Sequence, residues 1–221
     1  MYSAAISISH NIDSKRVFDM LCPGSHYVVI TTPLKYSRMA CEAEDNGFEI
    51  RDQIIWLSDV TQHNILLARK PLEGLLAENI LKYNCGGINI DDCKIGNEER
   101  INKPFGRKSW RKMNERELSE ADQLDNEKKN VVGRWPANII HCGSENIMNE
   151  FLKYGITKSG VDKGERGKGG MWNKGTKIPC GPQYGDSGSV ARYFKEIKTI
   201  EELKDYLITL ILPPDGKLLI V

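Results

Sequence analysis

No stretch of the sequence approaches the roughly 20 consecutive apolar residues of a helical membrane span, which excludes a bilayer-crossing helix. The opening MYSAAISISHNIDSKR has no basic stretch followed by an apolar core, so it does not read as a secretory signal and points to a cytoplasmic protein. Excess charge of one sign is missing too, since 31 Lys and Arg face 30 Asp and Glu for a net charge of +1. A globally basic coat for nucleic acid is thereby excluded, and any such footprint must be local. The six cysteines, Cys22, Cys41, Cys85, Cys93, Cys142 and Cys180, contain no CxxC pair and keep no tight spacing with the four histidines. Free thiols are expected rather than a disulfide scaffold. A phosphate loop is also absent from Gly164 to Gly170, because Lys168 is followed by Gly-Gly-Met.

What is present suits a folded domain with a solvent-rich portion. The chain has 221 residues, 40% of them apolar or aromatic, and a mean hydropathy of -0.44. A length of this kind fits one domain, or one domain with a sizeable insertion. The run His26 to Thr31 is short and β-branched after the Pro23-Gly24 turn signal, and reads as a central strand. Ser37 to Asp45 has helical spacing and stops at Asn46-Gly47. Two further strands, adjacent in the sheet, are expected over Phe48 to Trp56 and His63 to Arg69. Leu72 to Tyr83 carries one apolar stripe and reads as a helix ending at Cys85-Gly86-Gly87, with a brief Ile88 to Ile90 segment after it. Order is expected over Trp135 to Cys142, in a helix capped by Ser144 and running to about Tyr154, in a helix from Thr199 to Leu212, and in a strand over Lys217 to Val221 after the Asp215-Gly216 turn.

Two segments cannot make a core of their own. Residues 94 to 134 hold 11 basic and 8 acidic side chains, and Arg100 to Arg116 contains seven positive charges against one negative. Residues 155 to 188 hold ten glycines, with lysines outnumbering acids. Both read either as solvated surface loops or as arms that contact phosphates. Arg107, Lys108, Arg111 and Lys112 can recur on one helical face beside Trp110, and Trp135 and Trp172 also lie among positive charges. The expected nucleic-acid contacts are Arg100, Lys103, Arg107, Lys108, Trp110, Arg111, Lys112, Arg134, Lys168, Trp172 and Lys174. His141 and Cys142, alone or with Cys180, lack the spacing of a zinc site. Asp91-Asp92 beside Cys93 reads as a capped turn rather than a magnesium site.

Six stretches, GSHYVVITTPLKYSRMACEAEDNGFEIRDQIIWL, ILLARKPLEG, AENILKYNCGGINIDDCKIG, GRWPANIIH, YGDSGSVARYF and ELKDYLITLILPPDGK, together cover roughly half of the chain. In this order they resemble the amino-methylating DNA methyltransferases of the beta arrangement, common in phages and prophages, which modify adenine N6 or cytosine N4. The resemblance implies an α/β fold, a partial Rossmann-like methyltransferase sheet with helices on its faces and inserted basic loops. It also implies a catalytic half-sheet over 1–93, a target-recognition region over 94–188, and a helix and strand over 189–221 that return to the sheet.

The family's reaction needs Asp, Asn or Ser followed by Pro-Pro and an aromatic, at the end of a strand ahead of the Gly24 region. Those groups hold and stack the amine of a flipped base before it attacks the methyl sulfonium. Nothing like that tetrad precedes Gly24, and Thr31-Thr-Pro-Leu34 echoes it only superficially. On the cofactor side, Pro214-Asp-Gly216 and a strand are present, the glycine-rich Asp-Pro-Phe-x-Gly-x-Gly turn is not, and Ile197-Lys198-Thr199 stands where a Lys-Pro dipeptide is expected. The reading is therefore a pseudoenzyme-like relative with no catalytic, cofactor or metal residue of its own, whose partner is double-stranded DNA. S-adenosylmethionine enters only if a complementing methyltransferase chain or a homo-oligomer completes the site. The other readings are an active methyltransferase assembled with that second chain, and a structural or decoy protein that binds a host protein.

Overall fold

The computed structural model describes residues 1–8, 13–102, 129–158, 165–166, 178–179 and 187–221. Its main feature is a seven-stranded sheet built from β1 (Tyr2–Ser7), β2 (Leu21–Thr31), β3 (Glu49–Leu57), β4 (Gln62–Arg69), β7 (Ile139–His141), β12 (Lys195–Glu196) and β13 (Leu218–Ile220). They lie in the order β12-β7-β3-β4-β2-β1-β13. β4 is antiparallel to both of its neighbours, and the pairs β1–β2, β1–β13, β3–β7 and β7–β12 are parallel. The α/β architecture expected from the sequence is present.

Alternation along the strands sorts the core into two layers. Ala4, Ile6, Val28, Ile30, Ile65 and Leu67 point to one face, where α6 (Ile200–Ile211) buries Leu203, Leu207, Leu210 and Ile211. Ala5, Tyr27, Val29, Leu66 and Ala68 point to the other, covered by Val17 of α1 (Ser14–Met20) and by Met39 and Ala43 of α2 (Pro33–Asp45). Burying each large aliphatic side chain contributes about 1.5–3 kcal/mol, so α6 is held mainly by its apolar stripe. Thr199 caps it by accepting from the Glu202 amide.

The remaining helices are α3 (Leu76–Tyr83), α4 (Ile90–Cys93) and α5 (Glu145–Lys153), with a 3-10 turn at Val190–Tyr193. Ser144 caps α5 as its sequence suggests. α2 starts four residues earlier than the apolar spacing predicts, because Pro33 is pre-organised for a first helical turn. α3 starts four residues later than expected. Gly74 before it takes φ +80, and the Glu73 amide donates to Asn79 Oδ1 at 2.9 Å, which holds this segment outside the helix.

β1 is not legible from periodicity. Its YSAAIS sequence has two alanines at the sheet centre, Ala4 and Ala5, both fully buried. Alanine is a poor strand former by propensity, yet a small side chain suits a strand packed on both faces between β2 and β13.

The chain divides into two compact units. The first, 1–95 with 135–157 and 188–221, is the sheet and its helices. The second, 96–134 with 158–187, contains most of β5 (Ile95–Asn102) and β6 (Lys129–Arg134), which pair with each other. It also holds β9 (Glu165–Arg166) and β10 (Ile178–Pro179), an antiparallel pair. β8 (Ile156–Lys158) pairs with β11 (Ser187–Ser189).

Candidate functional site at the carboxyl edge of the sheet

β1 is the point where the sheet changes direction of growth. From it the chain passes to β2 on one side, while β13, the last strand, is laid down on the other. Helices on the two sides of that point cover opposite faces, α1 and α2 on one and α6 on the other. In open α/β sheets a crevice forms outside the carboxyl ends of the strands at such a switch point, and ligands bind there.

The strand ends at this edge are polar. Ser7, Thr31 and Asn64 are 0%, 1% and 7% exposed. Thr31 at the end of β2 pairs with Asn64 near the start of β4, and Ser7 at the end of β1 pairs with Val29. All three share the α1–α2 face with Ala5, Val29 and Leu66. Gln62 belongs to the same row, and its Nε2 donates to Asn64 Oδ1 at 2.9 Å. On the α6 face of the edge the His63 ring lies 5.4 Å from that of Trp56, and burial holds the His63 imidazole below its ordinary pKa. Trp56 donates from Nε1 to the Ile197 carbonyl at 2.9 Å, which ties β3 to the link between β12 and α6.

Further along the edge, His141 ends β7 and is 2% exposed. Its Nδ1 accepts the Gly143 amide at 3.1 Å, and Phe151 of α5 meets its ring edge-on at 5.3 Å. Burial lowers the His141 pKa against the pull of Glu196, and in the neutral ring the amide donated to Nδ1 leaves the proton on Nε2. Gly143 has φ +72, a left-handed backbone conformation that strains any residue with a Cβ.

Several residues singled out in the sequence have defined places. Thr31-Thr-Pro-Leu34 spans the end of β2 and the start of α2, and Leu34 is 93% exposed. Asp92 donates its amide to Asn89 Oδ1 and Asp91 pairs with Lys94 at 2.5 Å, as a capped turn requires. His141 and Cys142 are neighbours in the chain, while Cys180 lies outside the described residues; among the described residues no three His, Cys, Asp or Glu side chains cluster.

Of the expected nucleic-acid contacts, Arg100 lies on β5 and Arg134 ends β6, where it is half-buried. Lys103, Arg107, Lys108, Trp110, Arg111, Lys112, Lys168, Trp172 and Lys174 lie outside the described residues. Trp135 follows Arg134 and is 71% exposed. The polar row of Ser7, Asn64 and Gln62 is not evident in the sequence. Its only signal there is a polar residue closing an apolar run, which many surface strands share.

These features define an α/β protein whose sheet presents a polar carboxyl edge at its switch point. No family model matches the chain, and no curated protein matches it. Among solved structures it is similar to M1.HpyAVI, with 21% identity and a TM-score of 0.30 over 32% of this chain and 44% of that one. It is also similar to the M1.HpyAVI-SAM complex, with 17% identity and a TM-score of 0.29 over 48% of this chain and 50% of that one. The chain thus spans half or less of the length of these structures.

Proposed function

We propose that the chain is a relative of the amino DNA methyltransferases that binds double-stranded DNA and does not transfer a methyl group by itself. The observation that carries this reading is the position of β1. The resemblance requires a catalytic tetrad at the end of a strand ahead of Gly24, and β1 is a strand in that place, at the switch point of the sheet. β1 ends at Ser7, and the sequence goes on Ile8-Ser9-His10, without the Pro-Pro that aims the amine-holding carbonyl.

The residues at this edge also do not fit S-adenosylmethionine. A donor of this kind needs a tight glycine turn for its methionine end and an acidic side chain for its ribose. Ser7 and Ile8 at the end of β1 and Thr31 and Thr32 at the end of β2 supply neither, and no methyl-transfer step is derived through this chain alone.

DNA contact is assigned to the basic, glycine-rich segments between 94 and 188, through Arg107, Lys108, Arg111, Lys112, Lys168 and Lys174. Phosphate contacts then dominate, with a steep loss of affinity in salt and weak sequence preference. Anisotropy titration of duplex DNA with the full chain at two salt concentrations tests this, and no binding at low salt would reject it.

A second reading is a methyltransferase completed by another chain, in the cytoplasm of a bacterial host. It is favoured by β13 being the edge strand, which leaves one side of the sheet beside the switch point for a further strand. Methyl transfer that appears only when a second chain is added separates it from the first reading.

A further inference from the structure

The unit that holds the sheet breaks off at Thr157 and resumes at Gly188, so these two residues bound the glycine-rich segment. One guanidinium joins them. Arg192, in the 3-10 turn, donates from Nη1 to Thr157 Oγ1 at 3.0 Å, to the Gly188 carbonyl, and to the Ser189 carbonyl at 2.7 Å. Its Nη2 donates to the Thr157 carbonyl at 3.4 Å and to the Tyr193 hydroxyl at 2.8 Å, and the group lies 4.4 Å over the Tyr193 ring. Thr157 Oγ1 also donates to the Gly188 carbonyl at 3.3 Å. The turn that carries Arg192 is itself anchored, because Ser189 Oγ accepts the Ala191 amide at 3.3 Å and Phe194 stacks on Phe151 of α5 at 5.4 Å. Gly188 lies against the arginine, and a Cβ there would stand 3.2 Å from Arg192 Cδ. β8 and β11 are three residues each, too short a pair to hold by itself.

We propose that Arg192 is the positioning residue of the glycine-rich segment, closing its neck at Thr157 and Gly188 and so presenting Lys168 and Lys174 to DNA phosphates. This rests on the DNA-binding reading above. A loop whose two ends are joined has fewer arrangements to lose when it meets its partner, so a closed neck raises affinity without adding a contact. Arginine suits the task because its planar fork reaches carbonyls on both strands at once, which a single ammonium cannot do. With these donors on carbonyls and hydroxyls of the neck, Arg192 acts through the segment rather than by touching phosphate.

The test uses the full chain with Arg192→Ala and with Gly188→Val, which keeps every charge but crowds the guanidinium out of its place. Hydrogen exchange reads the neck without DNA. Amides at 156–157 and 188–189 should lose about tenfold or more in protection in both variants, while β2 and β4 keep theirs. Duplex DNA is then titrated across a salt series. Each lysine withdrawn from phosphate lowers the salt slope by about 1, so each variant should lower it by about 2. Added to Lys168→Gln with Lys174→Gln, neither variant should lower it further, since the effects share one route. The inference is overturned by unchanged exchange at the neck, by variant effects that add to those of the lysine changes, or by a loss of slope in Arg192→Ala that Gly188→Val does not reproduce, which would make Arg192 a direct phosphate contact. If the unsubstituted chain fails to bind DNA at low salt, the DNA reading falls, and exchange alone decides whether Arg192 closes the neck. Either variant suffices where the other fails to fold.

Discussion

The two ends of the parallel strands are built differently. At the amino end the polar groups are tied to backbone. Asn79, fully buried, makes three such hydrogen bonds, to Glu73, Pro23 and Cys85. Lys70 Nζ donates to the carbonyls of Phe18 and Leu21 at 2.8 and 2.9 Å, closing the end of α1, and sits 4.4 Å over the Phe18 ring. At the carboxyl end side chains also meet one another, as Gln62 meets Asn64 and Ser144 meets Asp59, alongside the backbone bonds of Trp56 and His141. Backbone partners cannot move away when a side chain is lost, whereas a half-exposed side chain can turn to water. The amino end therefore carries stability, and the carboxyl end is free to carry chemistry.

The sharpest test of that contrast is Asn79→Ala. It leaves two carbonyls and one amide without their partner in a buried setting, and should cost about 3–4 kcal/mol. Gly24 makes the site tighter still, because its φ is +81 and a Cβ there would stand 2.4 Å from Asn79 Nδ2. The shift of the urea midpoint at constant m-value reads the loss. A change below about 1 kcal/mol would remove the distinction between the two ends.

The next effect in size is a pH dependence at the same end. His26 is 4% exposed, and burial, then Arg69 and Arg51, lower its pKa from 6.5 to about 4. Between those values the unfolded chain binds a proton that the folded chain refuses. Stability from this group is complete above the unfolded pKa and declines as pH falls toward about 4, by about 3 kcal/mol across the window. His63 and His141 have pKa values lowered in the same direction and add to the slope. Unfolding midpoints across this window check the sign, and His26→Phe should flatten the curve.

Much of the frame is legible in the sequence because long apolar runs leave few choices. HYVVIT, QIIW and NILLAR mark β2, β3 and β4 and the adjacency of the last two, while Ser144 and Thr199 mark the starts of their helices. β1 escapes because its centre is alanine, whose fit depends on neighbours that only the folded sheet supplies. The candidate site escapes for a related reason. Ser7, Thr31 and Asn64 come from three strands, and their shared position follows from register rather than from any spacing along the chain. The basic residues expected to touch DNA stand on charge pattern, and most of them lie outside the described residues.

A smaller change is expected at the carboxyl end for Ser144→Ala. The hydroxyl caps α5 by accepting the Ile147 amide at 3.4 Å and donates to Asp59 in the turn between β3 and β4. Losing a cap of this kind costs about 1 kcal/mol. Both partners sit near solvent, so water replaces much of what is removed, and thermal unfolding of the variant should show a shift of only a few degrees.

The smallest effect is expected for Asn64→Val. Asn64 is 7% exposed and sits between Thr31 and Ile55 in the register of β4, a position that a β-branched apolar side chain fills well on a sheet face. The substitution removes one side chain hydrogen bond, and its partner Gln62 is half-exposed and can turn to water. Better packing offsets that loss, so stability should stay within about 1 kcal/mol of the parent in either direction. An amide near the start of a strand, where valine fits as well, then serves what it presents at the edge. If Asn64→Val instead costs as much as Asn79→Ala, the polar row is part of the structural core, and the edge formed by Ser7, Thr31 and Asn64 loses its claim to be the functional one.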